Sequence, residues 1–254
     1  MLTSACTSTS SGRETSRLAT TATPGCARSP LERNASLGFA TSRTEIHRTK
    51  DGANIAVADI NEAEAQRVAG EINAAGGSAI ALKCDATKKA EVTAMVDAVL
   101  KKWGTVDILI NAAGGFHQFA PITEITEEEW DRVINVNLKS AFLCTQAVAK
   151  TMMDKRKGRI ISIVTTNGIM GWPGQAHAGA AKAGILSLTR ALAVEWAKHR
   201  IHVNTISPGP IAGTEGVKRL YEKLGHAELQ AKRVALGRFG NPEDIANAAV
   251  YLAS

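Results

Sequence analysis

Residues 106–115 read VDILINAAGG, an apolar run of strand length that stops at an asparagine and a cluster of small residues. Bounded by a turn in this way, the run fits a strand buried on both faces. Such strands belong to parallel sheets whose crossover connections cover both sides. Upstream, Glu91 to Trp103 sets Val92, Met95, Val96, Val99 and Leu100 at helical spacing. Before it come a strand run over Asn54 to Ala58, an amphipathic helix over Asn61 to Ala75, and a strand run over Ala79 to Lys83. Downstream, Thr126 to Lys155 supplies two helical segments, Arg159 to Val164 a strand, Ala178 to His199 a long helix and Ile201 to Ile206 another strand, which Pro208-Gly209-Pro210 ends. Helical patterning returns in Thr214 to Leu224 and Pro242 to Leu252. Strands alternating with helices of this length predict an α/β fold, a doubly wound parallel sheet with right-handed crossovers and helices on both faces.

Composition narrows the function classes. The chain has 254 residues, room for one large α/β domain. No apolar run approaches the roughly 20 residues of a membrane helix, so no membrane partner is expected. The four cysteines, Cys6, Cys26, Cys84 and Cys144, form neither a CxxC pair nor a His/Cys cluster, which predicts no metal site and a reducing, cytoplasmic setting. The net charge of +6 sits mostly in residues 1–50, which hold seven Lys/Arg against three Asp/Glu. The remainder is nearly balanced and carries no basic stripe with interleaved aromatics, so nucleic acid is not an expected partner.

Residues 1–50 differ in texture from residues 51–254: they are rich in Ser, Thr and Arg, contain no valine, and read as no strand. They form an atypical segment ahead of a single α/β domain, residues 51–254.

Ligands of open α/β sheets bind beyond the carboxyl ends of the strands, so the residues just after each strand matter most. Asp59 ends the first run, where a carboxylate can accept from both hydroxyls of an adenosine ribose and repel a 2′-phosphate. It could equally cap the helix that follows. The small residues of Asn111-Ala112-Ala113-Gly114-Gly115 let backbone amides approach a ligand, and an asparagine there can tie neighbouring strands together. Taken alone, that segment is equally a turn.

Taken in order, Asp59, Cys84-Asp85, the NAAG of Asn111 to Gly114, the NVN of Asn135 to Asn137, Lys182, and Asn204 through Pro208-Gly209-Pro210-Ile211 resemble the short-chain dehydrogenase/reductase family. The resemblance implies a Rossmann-type domain that moves hydride between NAD, or NADP, and a small-molecule substrate, working as a homo-oligomer. It makes Lys182 the residue that bonds the nicotinamide ribose and lends positive charge, with Asn137 holding a relay water beside it. Asp85 would lie against the adenine. Asn111, Ala112, Ala113 and Gly114 would line the cofactor cleft, and Pro208, Gly209, Ile211 and Thr214 would border nicotinamide and pyrophosphate. Thr165 stands at the family's serine position, with Thr166 beside it.

Two departures follow. Most of the family has tyrosine four residues before the lysine, and this chain has Ala178, which cannot protonate an alkoxide. The segment His177 to Lys182, with Leu192 to Trp196 and Pro208 to Gly216, is similar to the 2,4-dienoyl-CoA and enoyl-CoA reductases, in which hydride goes to a conjugated carbon. That resemblance implies an acyl-CoA substrate; the alternatives are a sugar, alcohol or 3-oxoacyl substrate, or an inactive fragment. Asn167 occupies the place where some of that branch carry a catalytic tyrosine, while His177 is an acid by type but fits a helix-start residue turned from the cleft. The second departure concerns the glycine-rich turn that should hold the pyrophosphate. Counted back from Asp59 it falls near residues 34–41, which read NASLGFAT and hold one glycine. The family's last strand and its Asp-Gly-Gly-type ending are likewise not found before Ser254.

Overall fold

Every strand of the sheet is parallel to its neighbours, in the order β3-β2-β1-β4-β5-β6. The computed structural model describes residues 53–114, 119–218, 221 and 225–254, together with the main chain of 35–39. The strands are β1 (Ala35–Phe39), β2 (Asn54–Asp59), β3 (Ser78–Lys83), β4 (Ile108–Asn111), β5 (Gly158–Ile163) and β6 (Ile201–Ile206). The helices are α1 (Glu62–Ala74), α2 (Lys89–Trp103), α3 (Glu127–Ile134), α4 (Ser140–Lys155), α5 (Ala176–Trp196), α6 (Ala227–Arg233) and α7 (Pro242–Ala253). A π-helical segment, Asn135–Lys139, joins α3 to α4.

The period-2 alternation of strand side chains divides the core. Ile55 and Val57 of β2 point to one face, against Ala65, Val68, Ala69 and Ile72 of α1. Ile108 and Ile110 of β4 share a cluster with Ile161 of β5 and Ala249 and Ala253 of α7. The intervening residues, Ala56, Ala58, Leu109 and Ile160, pack with Val92, Val96 and Val99 of α2 and with Leu143, Cys144, Val148 and Met152 of α4. The inner strands β2 and β4 therefore need apolar residues in unbroken runs, which is why Ile55 to Ala58 and Ile108 to Ile110 are wholly buried. Two caps fix local boundaries: Asn61 accepts from the Ala63 N–H at the start of α1, and Gly104 closes α2 with a left-handed φ of 73°.

The reading of residues 1–50 as strand-free is corrected here. Ala35–Phe39 forms β1 in the central slot, pairing with β2 from Ala35↔Asn54 to Phe39↔Ala58 and with β4 from Ser36↔Ile108 to Gly38↔Ile110. Main-chain hydrogen bonds to two neighbours hold the slot without the valine-rich sequence typical of it. The same register bears on the expected phosphate-binding turn. Of the 34–41 stretch that the count from Asp59 gave it, residues 35–39 are strand, and residues 34, 40 and 41 lie outside the described residues. The sequence from 40 to 53 contains glycine only at Gly52.

The remaining expectations map closely. The helical pattern from Thr214 to Leu224 is represented by Glu215–Val217, its later part lying mostly outside the described residues. Helix α6 is an addition to the reading.

Candidate active site

The candidate residues gather along the carboxyl edge of the sheet. Asp59 ends β2, and its Oδ1 accepts from the Asn61 N–H at 2.8 Å. Asn61, rather than Asp59, caps α1. Next along the edge, the Cys84 N–H donates to the Asp59 carbonyl at 2.9 Å, setting Asp85 just past β3. The Asp85 carboxylate accepts from the Thr87 hydroxyl at 2.7 Å and the Thr87 N–H at 3.0 Å, bonds that hold it below the usual carboxylate range.

At the end of β4, the Asn111 amide Nδ2 donates to Thr145 Oγ1 of α4 at 3.1 Å and to Ser162 Oγ of β5 at 3.3 Å. It is the strand tie that the sequence suggested. Its buried Oδ1 has no hydrogen-bond partner among the described residues. Ala112, Ala113 and Gly114 follow outside regular secondary structure. A Cβ placed on Gly114 would lie 3.3 Å from Asn137 Oδ1 and 3.7 Å from Lys182 Nζ, so these two side chains converge on bare backbone.

Asn137 is buried within the π-helical segment, its Nδ2 donating to the Val133 carbonyl at 2.9 Å, which turns Oδ1 toward Gly114. A π-type widening of a helix often accompanies a functional site. Lys182 reaches it from α5. Close packing of the two elements depends on Gly184, where a Cβ would come within 2.7 Å of Leu138. Lys182 Nζ donates to the Ile163 carbonyl at the end of β5 at 3.2 Å, and burial pushes its pKa down to about 8. Ala178 lies one turn earlier on α5 and is buried.

Past β5, Thr165 precedes a tight 3-10 turn, Thr166–Gly168. Thr165 Oγ1 donates to Asn167 Oδ1, and Asn167 Nδ2 donates to Gln175 Oε1 at 3.0 Å. The Asn167–Gln175 partnership has no sequence signal, since it joins a loop to a helix cap. The turn lies flush on α5: a Cβ on Gly179 would meet the Asn167 carbonyl oxygen at 3.0 Å. His177 is fully buried, with Nε2 3.8 Å from Glu129 Oε1 of α3, and burial lowers its pKa.

After β6, Pro208, Gly209 and Ile211 lead to Thr214. That loop is anchored by Gly240, whose N–H donates to the Pro210 carbonyl at 2.9 Å and whose carbonyl accepts from the Ala212 N–H at 2.8 Å. Thr214 Oγ1 donates to the Ile211 carbonyl at 2.8 Å and accepts from the Val217 N–H at 3.3 Å. Its hydroxyl thus caps the short turn.

Among the described residues no helix is long and apolar enough to cross a membrane, and no group of three His, Cys, Asp or Glu could hold a metal. What the edge does offer is a carboxylate at the end of β2, small-residue backbone after β4, and a lysine with an asparagine converging beside it. A dinucleotide suits this arrangement at both ends: a Cβ on Gly114 would crowd Asn137 Oδ1 at 3.3 Å beside Lys182, where a nicotinamide ribose would lie, and Asp59 keeps Oδ2 for the other ribose.

This fold and site define an NAD(P)-dependent oxidoreductase. A family model described as enoyl-(acyl carrier protein) reductase matches residues 32–254. The 3-oxoacyl-[acyl-carrier-protein] reductase of Thermotoga maritima is 36% identical over 81% of this chain and 82% of its own. A (2S)-[(R)-hydroxy(phenyl)methyl]succinyl-CoA dehydrogenase subunit from Thauera aromatica is 34% identical over 83% of each. The crystal structure of NAD+-bound xylitol dehydrogenase superimposes with a TM-score of 0.79 at 26% identity, over 87% of this chain and 92% of that one. The chain belongs to the short-chain dehydrogenase/reductase family.

Proposed function

We propose that the protein transfers hydride between NAD(H) and an oxygen-bearing carbon of a 3-oxoacyl or 3-hydroxyacyl thioester. The observation that carries this reading is the Lys182–Asn137 convergence on Gly114, in a chain 34–36% identical to enzymes named for 3-oxoacyl and hydroxyacyl thioesters. Asp59 and Asp85 would hold the nicotinamide cofactor at one end and Lys182 at the other, and the bound cofactor would supply hydride-transfer chemistry. Asp59 favours NAD over NADP, because a 2′-phosphate would meet its carboxylate and no arginine follows in Ile60-Asn61-Glu62. Pro208, Gly209, Ile211 and Thr214 border the nicotinamide side, and Ala112 and Ala113 line the cleft.

Chemistry at the oxygen falls to this chain's own groups. With Ala178 in place of a phenol, the Lys182 ammonium is the acid that gives a proton to the developing alkoxide. A lysine with a pKa near 8 is still charged at neutral pH and gives up its proton more readily than an exposed lysine would. Asn137 Oδ1, set beside it, holds the water that restores the proton. Thr165 bonds the hydroxyl form of the substrate, and Thr166, through its carbonyl, holds the turn that places it: the Ile169 and Met170 N–H groups donate there at 3.0 and 2.8 Å.

A second reading, reduction of a conjugated enoyl- or dienoyl-CoA, is favoured by Ala178, since a dienolate oxygen needs hydrogen bonds more than an immediate strong acid, and by the description of the matching family model. Assaying NADH oxidation with a 3-oxoacyl thioester beside its 2-enoyl counterpart separates the two. Faster turnover of the oxo substrate supports the first reading, and faster turnover of the enoyl substrate replaces it with the second.

Assembly as a homo-oligomer is part of the proposal. Phe142 of α4 and Val194 of α5 are large apolar side chains at 44% and 81% exposure. Ala181 and Gly184 of α5 serve the chain's own packing: Ala181 is buried and Gly184 abuts Leu138. Sedimentation as a monomer at tens of micromolar would reject the oligomer.

A further inference from the structure

We infer that Asn167, held by Gln175, is a positioning residue that turns the Thr165 hydroxyl into a hydrogen-bond acceptor, so that the site recognises the hydroxyl form of its substrate over the carbonyl form. The inference rests on the proposed reaction at an oxygen-bearing carbon and adds its specificity.

A threonine hydroxyl has one proton to give and two lone pairs with which to accept. Here the proton goes to Asn167 Oδ1, while the Asn167 amide donates in turn to Gln175 Oε1 at 3.0 Å. The order is directional. Gln175 is 6% exposed at the head of α5, where its backbone carbonyl accepts from the Gly179 N–H at 2.8 Å. In this arrangement Asn167 presents its amide donor to Gln175 Oε1 and its side-chain carbonyl to Thr165. Backbone contacts leave Asn167 little freedom. A Cβ on Gly168 would meet Lys182 Cβ at 2.9 Å, and one on Gly179 would meet the Asn167 carbonyl at 3.0 Å, so the turn is seated on α5 at both points.

With its proton committed, Thr165 can only accept from a substrate. A hydroxyl can donate to it; a ketone oxygen cannot. The ketone oxygen instead finds the Lys182 ammonium. One hydrogen bond gained by a single form of the substrate is worth about 1 kcal/mol, equivalent to roughly fivefold in affinity.

Dead-end complexes isolate this effect from chemistry. The dissociation constant of a 3-hydroxybutyryl pantetheine thioester is measured on enzyme with NADH, and that of the 3-oxobutyryl thioester on enzyme with NAD+, for the wild type and for Asn167→Ala, Asn167→Asp and Thr165→Val. The expected result is that Asn167→Ala weakens the hydroxy ligand about fivefold while the oxo ligand binds as before or tighter. Asn167→Asp, which still accepts from Thr165, should keep the wild-type ratio. In the Thr165→Val background, Asn167→Ala should change nothing further. A purely structural role would weaken both ligands alike, and that outcome, or a shift toward the hydroxy form in Asn167→Ala, overturns the inference while leaving the proposed reaction standing. Failure of the wild type to bind either ligand overturns the proposed reaction, and the inference with it.

Discussion

Gly168 rests directly on Lys182: a Cβ added there would stand 2.9 Å from Lys182 Cβ and 3.0 Å from its carbonyl carbon. The turn carrying Thr165 and Asn167 and the helix carrying Lys182 are thus set against each other at a point with no room for a methyl group. Gly168→Ala should push the turn off the helix while leaving the sheet intact. A displacement near 1 Å can cost about a hundredfold in rate, so kcat is expected to fall by one to two orders of magnitude. Steady-state kinetics alongside far-UV circular dichroism checks this; unchanged kcat would mean that turn and lysine work independently.

The two reaction directions should respond oppositely to pH. Below about 8 the Lys182 ammonium can donate, and above it the free amine can only accept. Reduction should decline as pH rises through about 8, and oxidation should increase there. Stability has its own sign. The unfolded chain keeps this proton up to the ordinary 10.5, so the cost of the buried charge is fully present below about 8 and is removed as pH rises toward 10.5. Lys182→Met should abolish both trends, as read by pH–rate profiles and by denaturation at pH 7 and 9.

Much of this architecture was legible because buried parallel strands announce themselves. Ile201–Ile206 was read to the residue, and α1, α2 and α7 to within a residue or two, since their apolar spacing matches the sheet faces they cover. β1 escaped because ASLGF has no β-branched residue; its strand character comes from two flanking ladders. The π-helical segment escaped because a register change within a continuous helical pattern leaves no mark in residue type. Helix α6, AELQAKR, has no buried residue and so no periodicity to read. In the site, Asn137 and Lys182 were named from the sequence, but Asn167 and Gln175 meet only through a turn whose seating on α5 depends on absent side chains at Gly168 and Gly179.

Restoring the phenol should discriminate between substrate readings. Ala178 lies one helical turn before Lys182 on the same face, so Ala178→Tyr places a hydroxyl near the acid. Reduction of a 3-oxoacyl thioester is expected to rise at least tenfold, within the range of about 10² to 10⁴ that general acids supply. An enoyl thioester should gain nothing. Parallel progress curves on the two substrates read the difference, and equal gains would remove the distinction drawn between them.

Cofactor affinity should be modest and biased. Residues 40–53 hold glycine only at Gly52, so the sequence there lacks the glycine-rich pattern that gives a pyrophosphate open access to backbone amides. NADH is expected to bind more tightly than NADPH, and both above the low-micromolar range. Asp59→Ser should narrow the gap between them. Calorimetric titration decides it: low-micromolar NADH binding would place an effective phosphate cradle in that segment, and tighter NADPH binding would show that Asp59 does not contact the ribose.

The central claim is that Lys182 supplies the proton in a site without tyrosine. Its most direct test is NADH oxidation by the full chain with a 3-oxoacyl thioester, compared between the wild type and Lys182→Ala at pH 7. The account predicts measurable turnover in the wild type and a loss of about 10² to 10⁴ in kcat on removing the lysine. Retention of wild-type turnover by Lys182→Ala, or a wild type that oxidises no NADH at saturating cofactor, would contradict it.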